Sequence, residues 1–162
     1  MPLTKKQKAK VIERARQTGK WFLRRSDAGS SHEGFQWSPV GEWTEAPDWN
    51  ESDRCGGGLH GNDSETTDCW WSDGNDLDFC VYDGPMVRIG GKGGKIKIRR
   101  AMVVLRNEFP PWLTEWSGSL DLENTGITYL GYLQSVGGWL DLRGTGIKPK
   151  SVKSDLKDKC LF

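Results

Sequence analysis

The sequence predicts an α+β fold: an N-terminal basic helix, a mostly antiparallel sheet with a long Trp-pinned loop, and a short leucine-rich-type extension at the C-terminus. Three observations carry this. A capped, Lys/Arg-rich segment opens the chain, two β-branched and aromatic runs flank a glycine turn in its middle, and a unit of twenty residues repeats near its end. The corresponding segments are 1–19, 20–110 and 111–162.

The helix is bounded by its own signals. Thr4 followed by Gln7 fits a capping box and Gly19 a left-handed stop, which places a helix over roughly 5–18. Val11, Ile12 and Ala15 form a narrow apolar stripe, and Lys and Arg fill the rest, so the helix docks by one edge and shows a basic face. WFLRRS (21–26) suits a strand. From Asp27 to about Asn62 the chain is dense in Gly, Pro, Ser and Asp, with Trp37, Trp43 and Trp49 at intervals of six, a spacing that fits neither helix nor strand. It reads as an irregular wrap pinned by its indoles. LDFCVYD (77–83) reads as a strand, GGKGGK (90–95) as a turn, and KIKIRRAMVVL (95–105) as the clearest strand. In that last run Ile96 and Ile98 point inward and Lys95, Lys97 and Arg99 outward, before it becomes apolar on both faces.

SLDLENTGI (119–127) then aligns with WLDLRGTGI (139–147) at a period of 20, which is within the leucine-rich-repeat range. In each unit the leucines face inward, Thr125 or Thr145 bonds its turn, and Ile127 or Ile147 closes the core. The two Leu-Asp-Leu strands are expected to run parallel to each other. Two units cannot stand alone, so they should lean on the preceding body by extending the sheet of the 95–105 strand. A short helix near 151–158 would cap the open end.

Composition bounds the chemistry. The apolar fraction is 35%, below the usual ~45–50% that also counts Gly, and nine Trp compensate for it. No apolar run is long enough to span a membrane and no export signal opens the chain, so its four Cys read as reduced thiols in a cytoplasm. Charge is segregated into blocks of +8 (1–26), −13 (27–83) and +6 (84–162). Such blocks either neutralise one another in the fold or present faces of opposite sign, one of which could meet nucleic acid.

CGGGLHG (55–61) is the segment with the most to explain. Bare glycines admit either a ligand or a second stretch of backbone, with His60 tying the crossing in the latter case. The spacing is neither a P-loop nor a dinucleotide fingerprint. As a ligand site the candidates are Gly56, Gly57, Gly58, His60, Gly61, Arg24 and Arg25. A looser analogy is an ADP-ribosyltransferase-type arrangement of Arg24 or Arg25, His60-Gly61 and Glu108. Cys55, His60, Cys69 and Cys80 have zinc-ligand chemistry but lack the tight Cys pairs of structural zinc. DGNDLD (73–78) lacks the order of a calcium loop, and Trp70-Trp71 admits a sugar platform. His32 and His60 are the only histidines, and neither stands beside a nucleophile motif. No metal and no cofactor is expected.

Residues of about 20–108 resemble a domain of unknown function found in hypothetical proteins of bacteriophages and prophages. The resemblance is carried by EGFQW (33–37), EAPDW (45–49), CGGGLHG (55–61) and GGKIKIRRA (93–101). SVGGWLDLRGTGI (135–147) is similar to leucine-rich-repeat-like units common in phage proteins. The resemblance implies a phage or prophage setting and carries no activity with it. The resulting expectation is a non-enzymatic phage-derived interaction protein with a protein partner, an inhibitor of a host or defence component, acting in the bacterial cytoplasm. A virion association stays open. The alternative is a nucleotide-handling protein, either an ADP-ribosyltransferase-like enzyme or a nucleotide-sequestering binder, that uses the CGGGLHG loop. Nucleic acid is a further candidate partner, through the basic N-terminal helix or the C-terminal tail, and no membrane contact is expected.

Overall fold

In the computed structural model, which describes residues 1–67 and 71–162, a helix and a ladder of short strands cover one face of a twisted sheet and an aromatic loop covers the other. Helix α1 spans Lys5–Thr18. Thr4 Oγ1 accepts from the Gln7 N–H, the Gln7 side chain accepts from the Thr4 N–H, and Gly19 closes the helix at φ 67°. Ile12 and Ala15 are its buried residues. Trp112 Nε1 donates to the Ile12 carbonyl at 3.2 Å, which fixes the helix against the body.

The sheet is built from β1 (Trp21–Ser26), β2 (Trp43–Glu45), β3 (Leu59–Gly61), β4 (Asp76–Arg88) and β5 (Ile96–Arg106). Its order is β1-β4-β5-β2, β3 also pairs with β5, and all pairings are antiparallel. Strand alternation sorts the core into two layers. Trp21, Leu23, Phe79, Val81 and Val104 face α1 and the C-terminal segment. Phe22, Cys80, Ile98 and Val103 face Trp37, Phe35 and Trp49 of the loop. Because both faces of β5 are covered, residues 101–105 are all buried, as a continuous apolar run requires.

Two features of the 27–62 segment depart from an irregular wrap, since β2 and β3 lie within it. The indoles also pin it unevenly: Trp37 is buried, Trp49 half-buried, and Trp43 exposed under the Arg100 guanidinium at 4.5 Å. A larger correction concerns Lys97, which is fully buried rather than outward. The 49–58 loop closes over its stem, and the ammonium donates to Asn50 Oδ1 (3.0 Å), Ser52 Oγ (3.4 Å) and the carbonyls of Arg54 (3.2 Å) and Gly56 (3.1 Å). A buried charge is tolerable only with such partners.

The C-terminal segment stacks at the predicted interval. The short strands are β6 (Glu115–Trp116), β7 (Leu120–Asp121), β8 (Ser135–Val136), β9 (Leu140–Asp141) and β10 (Cys160–Leu161). β6 pairs with β8, β7 with β9, and β9 with β10, each parallel and offset by twenty residues. Thr125 and Thr145 bond the Leu122 and Leu142 carbonyls, and Ile127 is fully buried. Helix α2 (Ser154–Lys157) follows a turn at Pro149–Ser151 and buries Leu156. Among the described residues, the ladder does not extend the main sheet by strand pairing. It joins through side chains, where Trp21 meets Trp112 and Trp116 at ring-centroid distances of 5.1 and 6.2 Å.

Much of the segregated charge is neutralised between blocks. Arg88 pairs with Asp63 and Glu65, Arg99 with Glu45, Arg100 with Asp83, and Arg106 with Asp76 and Asp78. Among the described residues, no helix is long and apolar enough to cross a membrane.

Candidate functional site

Leu23 and Asn62 form one antiparallel bridge between β1 and the end of β3, with both backbone hydrogen bonds made at 2.8 and 2.9 Å. In the register that this bridge sets, Arg25 and His60 would form the next hydrogen-bonded pair. They do not pair, and the strands part. A cleft of about 870 Å³ lies at this parting, lined by Arg24 and Arg25 on one side and by residues 55–62 on the other. Phe35, Trp37 and Trp71 supply aromatic walls, and Lys95, Asp48 and Glu33 line it as well. All seven sequence candidates, Arg24, Arg25, Gly56, Gly57, Gly58, His60 and Gly61, line this one cleft.

Their roles in it differ. Arg24 is 4% exposed, with Cζ 3.9 Å from the Trp37 ring centroid. Its Nε lies 3.6 Å from Asp78 Oδ2, and its Nη2 donates to the Gly29 and Ser30 carbonyls at 3.4 Å. Asp78 is fully buried and also accepts from Ser26 Oγ (2.7 Å) and Arg106 Nε (2.8 Å). Burial pushes the Arg24 pKa down, while nearby Cys80 and Asp78 oppose that shift. Arg24 Nη1 has no hydrogen-bond partner among the described residues.

Arg25 is occupied. It bonds the Gly74 carbonyl at 2.8 Å and pairs with Asp121 at 2.9 Å, so it clamps the sheet to the C-terminal ladder. Asp121 belongs to a cluster with Glu123 and Asp141, the group among the described residues whose carboxylates lie close enough to share a cation. Arg25 and Arg143 already pair with its three carboxylates, and the hydrogen bond from Arg143 holds the Asp141 carboxyl below its ordinary range.

The glycines serve the chain itself. A Cβ on Gly57 would strike Asn50, one on Gly58 the Lys97 stem, and one on Gly61 the Phe22 ring. Gly57 and Gly58 also sit at φ +64° and +146°. Two parts of the chain therefore do pass closely here, but Lys97 ties the crossing. His60 does not: its Nε2 is buried without a hydrogen-bond partner. Burial, with Lys95 and Lys97 nearby, lowers its pKa to about 4, so the ring is neutral at neutral pH.

Sequence reasoning missed Asn62. It lines the cleft at 3% exposure with its Oδ1 unpartnered. Its position two residues beyond His60 on the same strand edge was the available signal. Among the described residues, the buried side-chain polar atoms without a partner are Arg24 Nη1, His60 Nε2 and Asn62 Oδ1, and all three belong to residues lining this cleft.

Other candidates fall away from it. Glu108 is exposed and does not line the cleft. Cys80 lies in the loop-side core while Cys55 is exposed, and Cys69 and Trp70 lie outside the described residues. In the DGNDLD segment, Asp76 accepts from Asn107 and the Ala28 N–H, and Asp78 from Arg106. Trp71 is half-buried, with its Nε1 on the Ser119 carbonyl. No family model matches the chain, and no curated protein or solved structure is a significant match to it.

Proposed function

We propose that the chain is a non-enzymatic binding protein that holds a small ligand in the cleft between β1 and β3. The carrying observation is that three residues lining one cavity, Arg24, His60 and Asn62, each keep a buried polar atom without a partner among the described residues. Leaving a buried polar group unmade costs about 1–3 kcal/mol, and a ligand that pairs with such a group removes that cost. The volume is within the ~300–1,000 Å³ usual for small-molecule sites. Binding without conversion is supported by the imidazole, which no carboxylate orients among the described residues, and by the exposed position of Glu108. In the phage setting that the resemblance implies, holding a host metabolite or signal without converting it is a means of inhibition.

The experiment uses Cys55, which is exposed and lines the cleft. Burial raises the Cys80 thiol pKa well above its ordinary value, so Cys80 stays unreactive in the folded chain. Alkylation of Cys55 should slow, and the melting temperature rise, on adding the small molecules extracted from phage-infected cells. Full-rate alkylation with an unchanged melting temperature would sink the reading.

A further inference from the structure

We propose that the cleft recognises the hydrogen-bonding edge of a planar, uncharged heterocycle of the nucleobase class, read by the Asn62 carboxamide. This rests on the reading of the cleft as a ligand site and names what enters it.

The first argument is the inventory of unmade bonds. Arg24 Nη1 is a donor and demands an acceptor. The Asn62 side chain takes part in no hydrogen bond among the described residues, so it offers one donor and one acceptor side by side. That holds whichever way the amide is turned. Such a pair matches an adjacent acceptor and donor on a ring edge, the way Asn grips adenine in a bidentate fashion. Neutral His60 adds a nitrogen that accepts or donates according to its tautomer. Arg24 and Asn62 are each more than nine-tenths buried and line the cavity, so their geometry is set before a ligand arrives.

The second argument is charge. Arg24 and Arg106 are met by Asp78 and Asp76, and Arg25 by Asp121. Lys95 shares the lining with two carboxylates, Asp48 and Glu33. Among the described residues, these bases are matched in number by acids, which leaves no positive surplus for a phosphate. The glycine run is no phosphate cradle either, because the Arg54 and Gly56 carbonyls are turned to the Lys97 ammonium and Gly57 and Gly58 are packed against Asn50 and Lys97.

The third argument is shape. Phe35 and Trp71 are half-buried on the lining, which leaves aromatic surface for a flat ring to stack on.

The test titrates the full chain with adenosine, guanosine, cytidine and uridine, and separately with inorganic pyrophosphate, by calorimetry. At least one nucleoside should bind, and its analogue methylated on the pairing edge should bind at least about tenfold more weakly. Asn62→Asp, which replaces the donor by a second acceptor, should lose a similar factor. The methylated analogue keeps the test decisive if that variant does not fold. Equal binding of parent and methylated nucleosides overturns the edge reading. Binding of pyrophosphate alone also overturns it while leaving the cleft as a ligand site. Binding of neither class, with Cys55 unprotected by cell extract, overturns both readings.

Discussion

Lys97 places its ammonium 3.1 Å from the Gly56 carbonyl oxygen, and this contact, with three more to the same loop, holds the glycine-rich wall of the cleft in place. Lys97→Met keeps most of the stem and removes the charge. It leaves four acceptors facing an apolar group, so a loss of about 2–4 kcal/mol is expected in urea unfolding. Limited proteolysis should then cut within 50–58. A change below about 0.5 kcal/mol would show that the loop does not depend on this lysine.

Asn62 behaves in the opposite way. A buried amide without partners is a liability in the empty protein, so Asn62→Leu should raise the melting temperature. The expected gain of about 1 kcal/mol corresponds to roughly 2–4 °C for a chain of this size. Ligand binding should be lost in the same variant. A lower melting temperature by calorimetry would mean that the amide is already satisfied within the fold.

His60 gives stability a pH dependence. Its pKa falls to about 4 in the folded chain against an ordinary 6.5. Between those values the unfolded chain binds the extra proton, so its contribution is fully present above pH 6.5 and is lost as pH falls toward 4. Because the ring is only half-buried, the loss is about 1–2 kcal/mol after discounting for solvent. His60→Gln should flatten that part of the stability profile, and an NMR titration of the His60 ring should have its midpoint near 4. A midpoint above 6 would remove the effect.

The body and the C-terminal ladder should unfold together. One apolar cluster includes Ile12 of α1, Phe79 of β4 and Leu120, Leu140 and Leu156 of the ladder, with Trp116 against Trp21 and Trp71. A fragment ending at residue 110 uncovers Trp21, Phe79 and Val81 and should lack a cooperative thermal transition. A fragment that melts sharply would show the sheet to be independent.

The elements that the sequence revealed are those with strictly local causes. The box of Thr4 and Gln7 and the stop at Gly19 mark α1 because the caps satisfy the helix's own N–H and C=O groups. The twenty-residue spacing marks the ladder because stacked parallel strands repeat one environment. β10 escaped notice because Cys160 and Phe162 stand where the earlier units have leucines. Lys97 misled because alternation assigns a face, and it takes a distant loop to cover that face. The cleft was half legible. The glycines and His60 marked the place, but Asn62 gains meaning only from its bridge to Leu23, a contact across 39 positions of chain that no local pattern encodes.

The stacking of β7, β9 and β10 makes the length of that end of the molecule a modular quantity. Each coil repeats the step of the one before it, and Arg25 and Trp21 bind the sheet to the first of them, at Asp121 and Trp116. Duplications of twenty residues can therefore be inserted between 127 and 147 without touching Arg24, His60 or Asn62. Gains and losses of chain there should come in multiples of one coil, so the reach of the molecule can change while its pocket stays the same.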